Sequence, residues 1–236
     1  QLNRYPDPSQ MPLRSRIAQM HGVEVDSVFA GVGSDEVIDL LIRIFCEPRL
    51  DSVVILEPTY GVYRVAADVN DITVNSSLLT DEFQIDLDDV QQKSDANTKL
   101  IFCCSPNNPT GNLLQRQDIL ALCAMTQAIV VVDEAYVDFA GTESLIGALS
   151  QFPNLVVLRT LSKAWGLAAI RLGYALAHPL IVSYLMKAKA PYNINALTSM
   201  EALKALERTD HVQQSVASTI AERRRLVGEL ERVACV

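Results

Sequence analysis

The chain has 236 residues, of which 49% are hydrophobic and 20% are charged, and its formal net charge is −8. This length and composition allow one sizeable globular domain and part of a second. The negative net charge argues against a nucleic acid or an anionic membrane as the main partner, because both are bound through a basic surface.

Short β-branched runs alternate with segments of helical spacing along most of the chain. The predicted elements are, in chain order, a helix at 35–45, a strand at 53–57, a helix at 86–93, a strand at 99–104, a helix at 117–127 and strands at 129–133, 155–160 and 172–177. From about Pro191 the pattern is helical throughout.

The predicted strands are continuously apolar, which is typical of strands buried on both faces of a sheet. We therefore predict an α/β fold with a mostly parallel central sheet covered by helices. The change of pattern near Pro191 predicts two parts, a large ligand-binding domain over residues 1–190 and a helical connection over residues 191–236.

Cysteine and histidine positions predict neither disulfides nor a metal site. The cysteines are odd in number, form no C-x-x-C pair and lie mostly in apolar surroundings; they are Cys46, Cys103, Cys104, Cys123 and Cys235. The three histidines are scattered, and the sequence contains neither a signal peptide pattern nor an apolar run of about 18 residues. We therefore expect reduced thiols, no metal and a cytoplasmic location.

Polar motifs follow three successive predicted strands. SPNNPTG occupies residues 105–111, DEAY residues 133–136 and LSK residues 161–163. Ligands of open α/β sheets bind at the carboxyl ends of the strands, so this coincidence predicts a binding site there.

Asp133 closes an apolar run and is expected to be buried, where a carboxylate needs a cation or a hydrogen-bond donor. A nucleotide-bound Mg²⁺ is disfavoured because the chain has no Gly-Lys pair for a phosphate loop. A dinucleotide fingerprint is also incomplete, since Glu36 stands at the position of the third glycine. The GVGSDE segment nevertheless opens a helix, either as an anion site at the Ser34 and Asp35 amides or as a plain N-cap by Ser34.

One cofactor, pyridoxal 5′-phosphate, suits all of these groups. Its phosphate fits the anion site and Arg171, and its protonated ring nitrogen fits a buried Asp133. Lys163, which stands among apolar residues in the sequence, is a suitable Schiff-base nucleophile for its aldehyde.

The strings RYPDP (4–8), GSDE (33–36), PTYGVY (58–63), SPNNPTG, VVVDEAY and RTLSKAWGLAAIRLGY occur in this order. Together they resemble the fold-type I, pyridoxal-phosphate-dependent aminotransferases, and most closely the histidinol-phosphate aminotransferase group of that family. The resemblance covers the whole chain.

The resemblance implies a role for each residue around the cofactor ring. Lys163 carries the cofactor and moves the substrate proton, while Asp133 pairs with the ring nitrogen. Asn108 and Tyr136 bond the ring's O3′ oxygen, and Tyr60 stacks on the ring. As alternatives, Tyr60 is a core aromatic residue and Tyr136 is a packing residue.

The resemblance also implies how the phosphate is held and how the subunits assemble. The phosphate ligands are the Ser34 and Asp35 region, Ser162 and Arg171, with Thr160 as a further candidate that otherwise only ends a strand. The family is a homodimer, in which Tyr5 reaches the phosphate of the cofactor in the other subunit.

The implied reaction converts L-histidinol phosphate and 2-oxoglutarate to imidazole acetol phosphate and glutamate, in histidine biosynthesis. The alternatives are an aromatic aminotransferase, a threonine-phosphate decarboxylase or a non-catalytic cofactor-binding or dimerisation module. The chain ends where a smaller C-terminal domain is expected to follow, so we expect this fragment to hold the cofactor but to transaminate poorly.

Overall fold

A computed structural model describes residues 3–233, in which seven strands form one mixed sheet. The strands are β1 (Val28–Val32), β2 (Ser52–Glu57), β3 (Thr73–Leu78), β4 (Thr98–Cys104), β5 (Ile129–Asp133), β6 (Leu155–Thr160) and β7 (Leu172–Ala177). Their order across the sheet is β1-β7-β6-β5-β4-β2-β3. β7 runs antiparallel to β6 and β1, and the other neighbouring pairs are parallel.

Helices cover both faces of the sheet. They are α1 (Met11–His21), α2 (Gly33–Phe45), α3 (Val62–Val69), α4 (Leu87–Lys93), α5 (Arg116–Met125), α6 (Pro179–Ala188), α7 (Ala196–Leu206) and α8 (Thr209–Leu230). None of these helices combines the length and the hydropathy that crossing a bilayer requires.

Two hydrophobic cores form because alternate residues of each strand point to opposite faces. In β5, for example, Val130 and Val132 pack in one core and Val131 packs in the other. The first core lies under α1, α4, α5 and α7, and the second lies under α2, α3 and α6. Hydrophobic burial on both faces explains why the central strands are continuously apolar.

The predicted α/β class with a mostly parallel, helix-covered sheet is confirmed. β1 and β3 were not predicted. After Pro191 the described residues form α7 and α8, as expected from the helical pattern. The division into parts 1–190 and 191–236 stays a prediction.

Four of the cysteines are buried free thiols, Cys46, Cys103, Cys104 and Cys123. Cys235 lies outside the described residues. Within residues 3–233 no group of histidine, cysteine and acidic side chains has the arrangement of a metal site.

Candidate active site

One pocket lies at the carboxyl ends of β4, β5 and β6, and all the predicted site residues except Tyr5 line it. These residues are Ser34, Asp35, Tyr60, Asn108, Asp133, Tyr136, Thr160, Ser162, Lys163 and Arg171. Cys104 and Ala135 also line the pocket but were not predicted. Both adjoin predicted motifs, since Cys104 precedes SPNNPTG and Ala135 lies within DEAY.

Asp133 is the buried acid of the pocket. It ends β5 and is 3% exposed. The Tyr63 hydroxyl donates to its Oδ2 at 2.9 Å, and the Ala135 amide donates to its Oδ1 at 3.0 Å. Burial raises the pKa of Asp133, and these two hydrogen bonds oppose that rise. Asp133 therefore has two hydrogen-bond donors as its partners within the protein. The sequence did not predict that Tyr63 is one of them.

Lys163 lies in the loop after β6, with its Nζ 5.2 Å from the centroid of the Tyr136 ring. The expectation that Lys163 is held in apolar surroundings is wrong, because its side chain is exposed at the pocket. Its apolar neighbours in the sequence, Leu161 and Ala164, are buried instead. The loop therefore turns these two apolar side chains to the core and presents the amine to the pocket.

Arg171 is also exposed at the pocket, with 48% of its side chain accessible. Its Nη2 lies 3.2 Å from Oδ2 of Asp35, and its Nη1 donates to the Ser162 hydroxyl at 3.5 Å. The Tyr60 hydroxyl donates to Oδ1 of Asp35 at 3.3 Å. Burial, followed by the nearby Asp35 carboxylate, raises the pKa of Tyr60, so this phenol stays protonated.

The N-terminus of α2 lines the same pocket as Arg171 and Ser162. The helix begins at Gly33 and its N-cap residue is Val32, whose side chain makes no capping hydrogen bond, so the alternative in which Ser34 is the N-cap is wrong. A helix N-terminus without a side-chain cap presents backbone amides and the positive end of the helix dipole. The Ser34 and Asp35 segment therefore offers amide donors beside the Arg171 guanidinium.

Two glycines allow α2, β7 and Arg171 to approach one another. Gly33 has φ 72, and a Cβ on it would lie 2.8 Å from Nη2 of Arg171. A Cβ on Gly173 would overlap the backbone of Gly33 and Ser34. The first turn of α2 therefore packs on the backbone of β7, while Ser34, Asp35 and Arg171 line the pocket.

Thr160 and Asn107 support the loops that carry site residues. The Thr160 hydroxyl accepts from the Ser162 amide at 3.1 Å and donates to the Leu172 carbonyl at 3.3 Å. The Asn107 amide group donates to the Pro58 carbonyl at 2.8 Å, which ties the loop carrying Asn108 to the segment before Tyr60. Asn107 was not predicted, and its place within NNPTG is the signal that could have identified it.

Tyr5 lies away from the pocket of its own chain. It is 80% exposed, and its ring stacks on Tyr192 with the centroids 4.5 Å apart. Its predicted contact with the cofactor of another subunit stays a prediction.

The side chains of the pocket include one suitable group for each reactive or charged part of pyridoxal 5′-phosphate. A primary amine suits the aldehyde, a buried acid suits the basic ring nitrogen, and an arginine beside a helix N-terminus suits the phosphate. The pocket contains each of these groups, in Lys163, Asp133, Arg171 and the first turn of α2.

Residues 1–235 match the sequence profile of the family described as aminotransferase class I and II. The chain is 50% identical over 224 residues to a histidinol-phosphate aminotransferase of Parabacteroides distasonis, covering 95% of this chain and 65% of that protein. It is 47% identical over 232 residues to a histidinol-phosphate aminotransferase of Cytophaga hutchinsonii, covering 98% of this chain and 67% of that protein. The chain thus spans about two thirds of the length of these relatives.

Solved structures share the fold. The histidinol-phosphate aminotransferase of Clostridium acetobutylicum superposes with a TM-score of 0.90 at 26% identity, covering 99% of this chain and 70% of that one. The enzyme of the same name from Sinorhizobium meliloti, in complex with pyridoxal 5′-phosphate, gives 0.86 at 23% identity, covering 95% and 62%. L-threonine-O-3-phosphate decarboxylase from Porphyromonas gingivalis gives 0.84 at 22% identity, covering 99% and 73%. The last two likenesses show the fold alone.

Proposed function

The chain belongs to the aminotransferase class I and II family, and from this we propose that it forms the cofactor-binding part of a pyridoxal-phosphate-dependent aminotransferase. The proposed reaction transfers the amino group of L-histidinol phosphate to 2-oxoglutarate, which gives imidazole acetol phosphate and L-glutamate. It belongs to histidine biosynthesis in the cytoplasm. Residues 1–190 hold the cofactor, and residues 191–236 form the helical connection to a small C-terminal domain.

The observation that carries this proposal is the meeting of three kinds of group in one pocket. An amine, a buried carboxylate and an arginine beside a helix N-terminus are contributed by Lys163, Asp133 and Arg171 with α2. The first turn of α2, Asp133 and the segment that carries Lys163 and Arg171 are distant in sequence, and a binding or dimerisation module without catalysis has no need of the lysine.

When bound, the cofactor supplies an electron sink for the pair of electrons left at the substrate Cα. Lys163 would hold the cofactor by its aldehyde carbon, and its amine is the group that would move the proton of the substrate Cα. Asp133 would hold a proton on the ring nitrogen. Tyr60, Asn108 and Tyr136 would contact the ring and orient it.

The cofactor phosphate would be held at the first turn of α2. Arg171 and Ser162 would donate to it from their side chains, and the Ser34 and Asp35 segment would donate backbone amides. Thr160 contributes by fixing the Ser162 amide, since its hydroxyl is already bonded within the protein. Asp35 pairs with Arg171 and thereby directs the guanidinium toward the pocket.

The proposed substrate is supported by similarity. Both relatives described above bear the name histidinol-phosphate aminotransferase, which favours histidinol phosphate over other amino donors. The active unit is proposed to be a homodimer, in which the exposed Tyr5 reaches the cofactor phosphate of the second subunit. An aromatic aminotransferase and a threonine-phosphate decarboxylase are the alternatives.

The lysine assignment is tested by borohydride reduction of the protein saturated with pyridoxal 5′-phosphate. Wild type is expected to show a visible absorbance band and to retain the cofactor covalently at Lys163 after reduction, as located by peptide mass spectrometry. Lys163→Ala is expected to lose both signals. Lys187→Ala is a matched control, because Lys187 also places its Nζ over a tyrosine ring, at 5.3 Å from the centroid of Tyr184. Labelling of other lysines in place of Lys163 would refute the assignment.

The substrate is tested with the full-length protein by comparing kcat/KM for L-histidinol phosphate, phenylalanine and threonine phosphate. Turnover of histidinol phosphate with 2-oxoglutarate at the highest kcat/KM supports the proposal. Preferred turnover of phenylalanine, or release of carbon dioxide from threonine phosphate, would instead establish one of the alternatives.

A further inference from the structure

Tyr63, the second tyrosine of PTYGVY, has no role in the proposed function, yet it contacts the buried acid of the site. It lies in the first turn of α3, and its side chain is fully buried. Its hydroxyl donates to Oδ2 of Asp133 at 2.9 Å. Tyr63 is absent from the pocket lining, so any effect on a bound ligand passes through Asp133.

Neighbouring rings fix the direction of this hydrogen bond. The Tyr63 ring stacks on Phe102 with the centroids 4.8 Å apart and an interplanar angle of 11°. The Tyr60 ring meets it edge-on at 5.6 Å and 84°. Because both contacts restrict the ring, the hydroxyl cannot turn away from Asp133 without disturbing the core.

Tyr63 acts as the donor in this bond. Burial, followed by the Asp133 carboxylate, raises the pKa of Tyr63 well above its ordinary value, so the phenol keeps its proton. The second carboxylate oxygen accepts from the Ala135 amide at 3.0 Å. No lysine, arginine or histidine of residues 3–233 forms an ion pair with Asp133. These two donors therefore oppose the burial that favours the protonated acid.

We propose that Tyr63 is a positioning residue that holds Asp133 as a carboxylate facing the pocket, so that Asp133 keeps the ring nitrogen of the bound cofactor protonated. This inference rests on the proposed function, because it requires a cofactor with a basic ring nitrogen. Tyr63 would thus influence the protonation state of the cofactor without lining the pocket, through its contact with Asp133.

The test follows the ring nitrogen directly, in protein loaded with pyridoxal 5′-phosphate labelled with ¹⁵N in the ring. The ¹⁵N chemical shift, recorded against pH, distinguishes the protonated nitrogen from the neutral one. Tyr63→Phe removes only the hydroxyl, and we expect the ¹⁵N shift at neutral pH to move toward the value of the neutral nitrogen, because a carboxylate that has lost a donor competes with the ring nitrogen for the shared proton. The unbound cofactor, recorded above and below the pKa of its ring nitrogen, provides the reference shifts, and we expect a neutral nitrogen in Asp133→Asn.

Tyr174→Phe is the matched control. Tyr174 is also buried, at 1% exposure, and its hydroxyl lies 2.9 Å from Nε2 of His21, so the change again deletes one buried tyrosine hydroxyl. This variant is expected to keep the wild-type titration. A wild-type titration in Tyr63→Phe, together with a neutral nitrogen in Asp133→Asn, overturns the inference and leaves the proposed function intact. A protonated nitrogen in Asp133→Asn overturns both.

Discussion

At the scale of single residues, Arg171 places its guanidinium between the Asp35 carboxylate and the Ser162 hydroxyl, at 3.2 and 3.5 Å. If it binds the cofactor phosphate, its loss should affect only ligands that carry a phosphate. We expect Arg171→Gln to weaken binding of pyridoxal 5′-phosphate by roughly 10- to 100-fold, the effect of losing a charged hydrogen bond, and to leave pyridoxal binding unchanged. Equilibrium titration with both ligands measures the two affinities.

Arg43→Gln is the control for the Arg171 variant. Arg43 lies on α2 and also pairs with an aspartate, Asp39, at 2.9 Å, but it is absent from the pocket lining. Its loss is expected to leave both affinities unchanged. If Arg171→Gln lowers the affinities for the two ligands equally, Arg171 does not bind the phosphate and instead supports the structure of the site.

The sequence predicts these side chains to different degrees. Asn108, Asp133 and Lys163 follow from their place at the ends of successive strands, because that edge of a parallel sheet gathers ligand-binding groups. The exposure of Lys163 could not be predicted from the sequence, because Leu161 and Ala164 on either side of it are apolar. The conformation of the loop buries those two side chains and exposes the lysine. Tyr63 could not be paired with Asp133 either, because 70 residues separate them.

At the scale of elements, β7 runs directly beneath the first turn of α2 at Gly173. We expect Gly173→Ala to lower the free energy of unfolding by at least about 2 kcal/mol, because the new Cβ overlaps backbone atoms of Gly33 and Ser34 that cannot rotate away. Urea unfolding measures the change. Gly147→Ala is the comparison, since a Cβ there meets nothing within 4 Å, and its effect should be small. Equal effects of the two substitutions would show that the close approach is relieved without strain.

The strands that sequence reasoning missed lie at the two edges of the sheet. β3 (TVNSSL) has mostly polar residues and is largely half-buried or exposed, so it lacks the apolar run of a central strand. β1 is only five residues long and contains a glycine. The antiparallel direction of β7 is not encoded in its apolar run, and only the short connection from 161 to 171 excludes a helical crossover.

At the scale of the whole molecule, polar contacts of buried side chains connect separate elements of the fold. Arg159 pairs with Glu134 at 3.5 Å and with Asp138 at 2.6 Å, which links β6 to the segment that follows Asp133. The alternation of strands and helices predicted the α/β architecture, because it follows from local patterns. These ion pairs could not be predicted, because they depend on which strands become neighbours.

His21 makes a similar connection from α1 to β7, through the Tyr174 hydroxyl 2.9 Å from its Nε2. Burial, with a smaller effect of the Arg159 charge, lowers the pKa of His21 to about 4. An unfolded chain has a histidine pKa of about 6.5, so it takes up the proton first as the pH falls. The contribution of His21 to stability is therefore fully present above about pH 6.5 and is lost progressively toward pH 4.

From this shift we expect His21 to account for a fall of about 3 kcal/mol in the free energy of unfolding between pH 7 and pH 4. His21→Gln removes the titrating group and keeps a side chain that can bond the Tyr174 hydroxyl, so its stability should fall less over the same range. Denaturant unfolding at several pH values measures both curves. His211→Gln, at an exposed position on α8, should follow the wild-type curve. If His21→Gln also follows it, the proton that destabilises the fold binds elsewhere, and the buried link from α1 to β7 does not set the acid limit of stability.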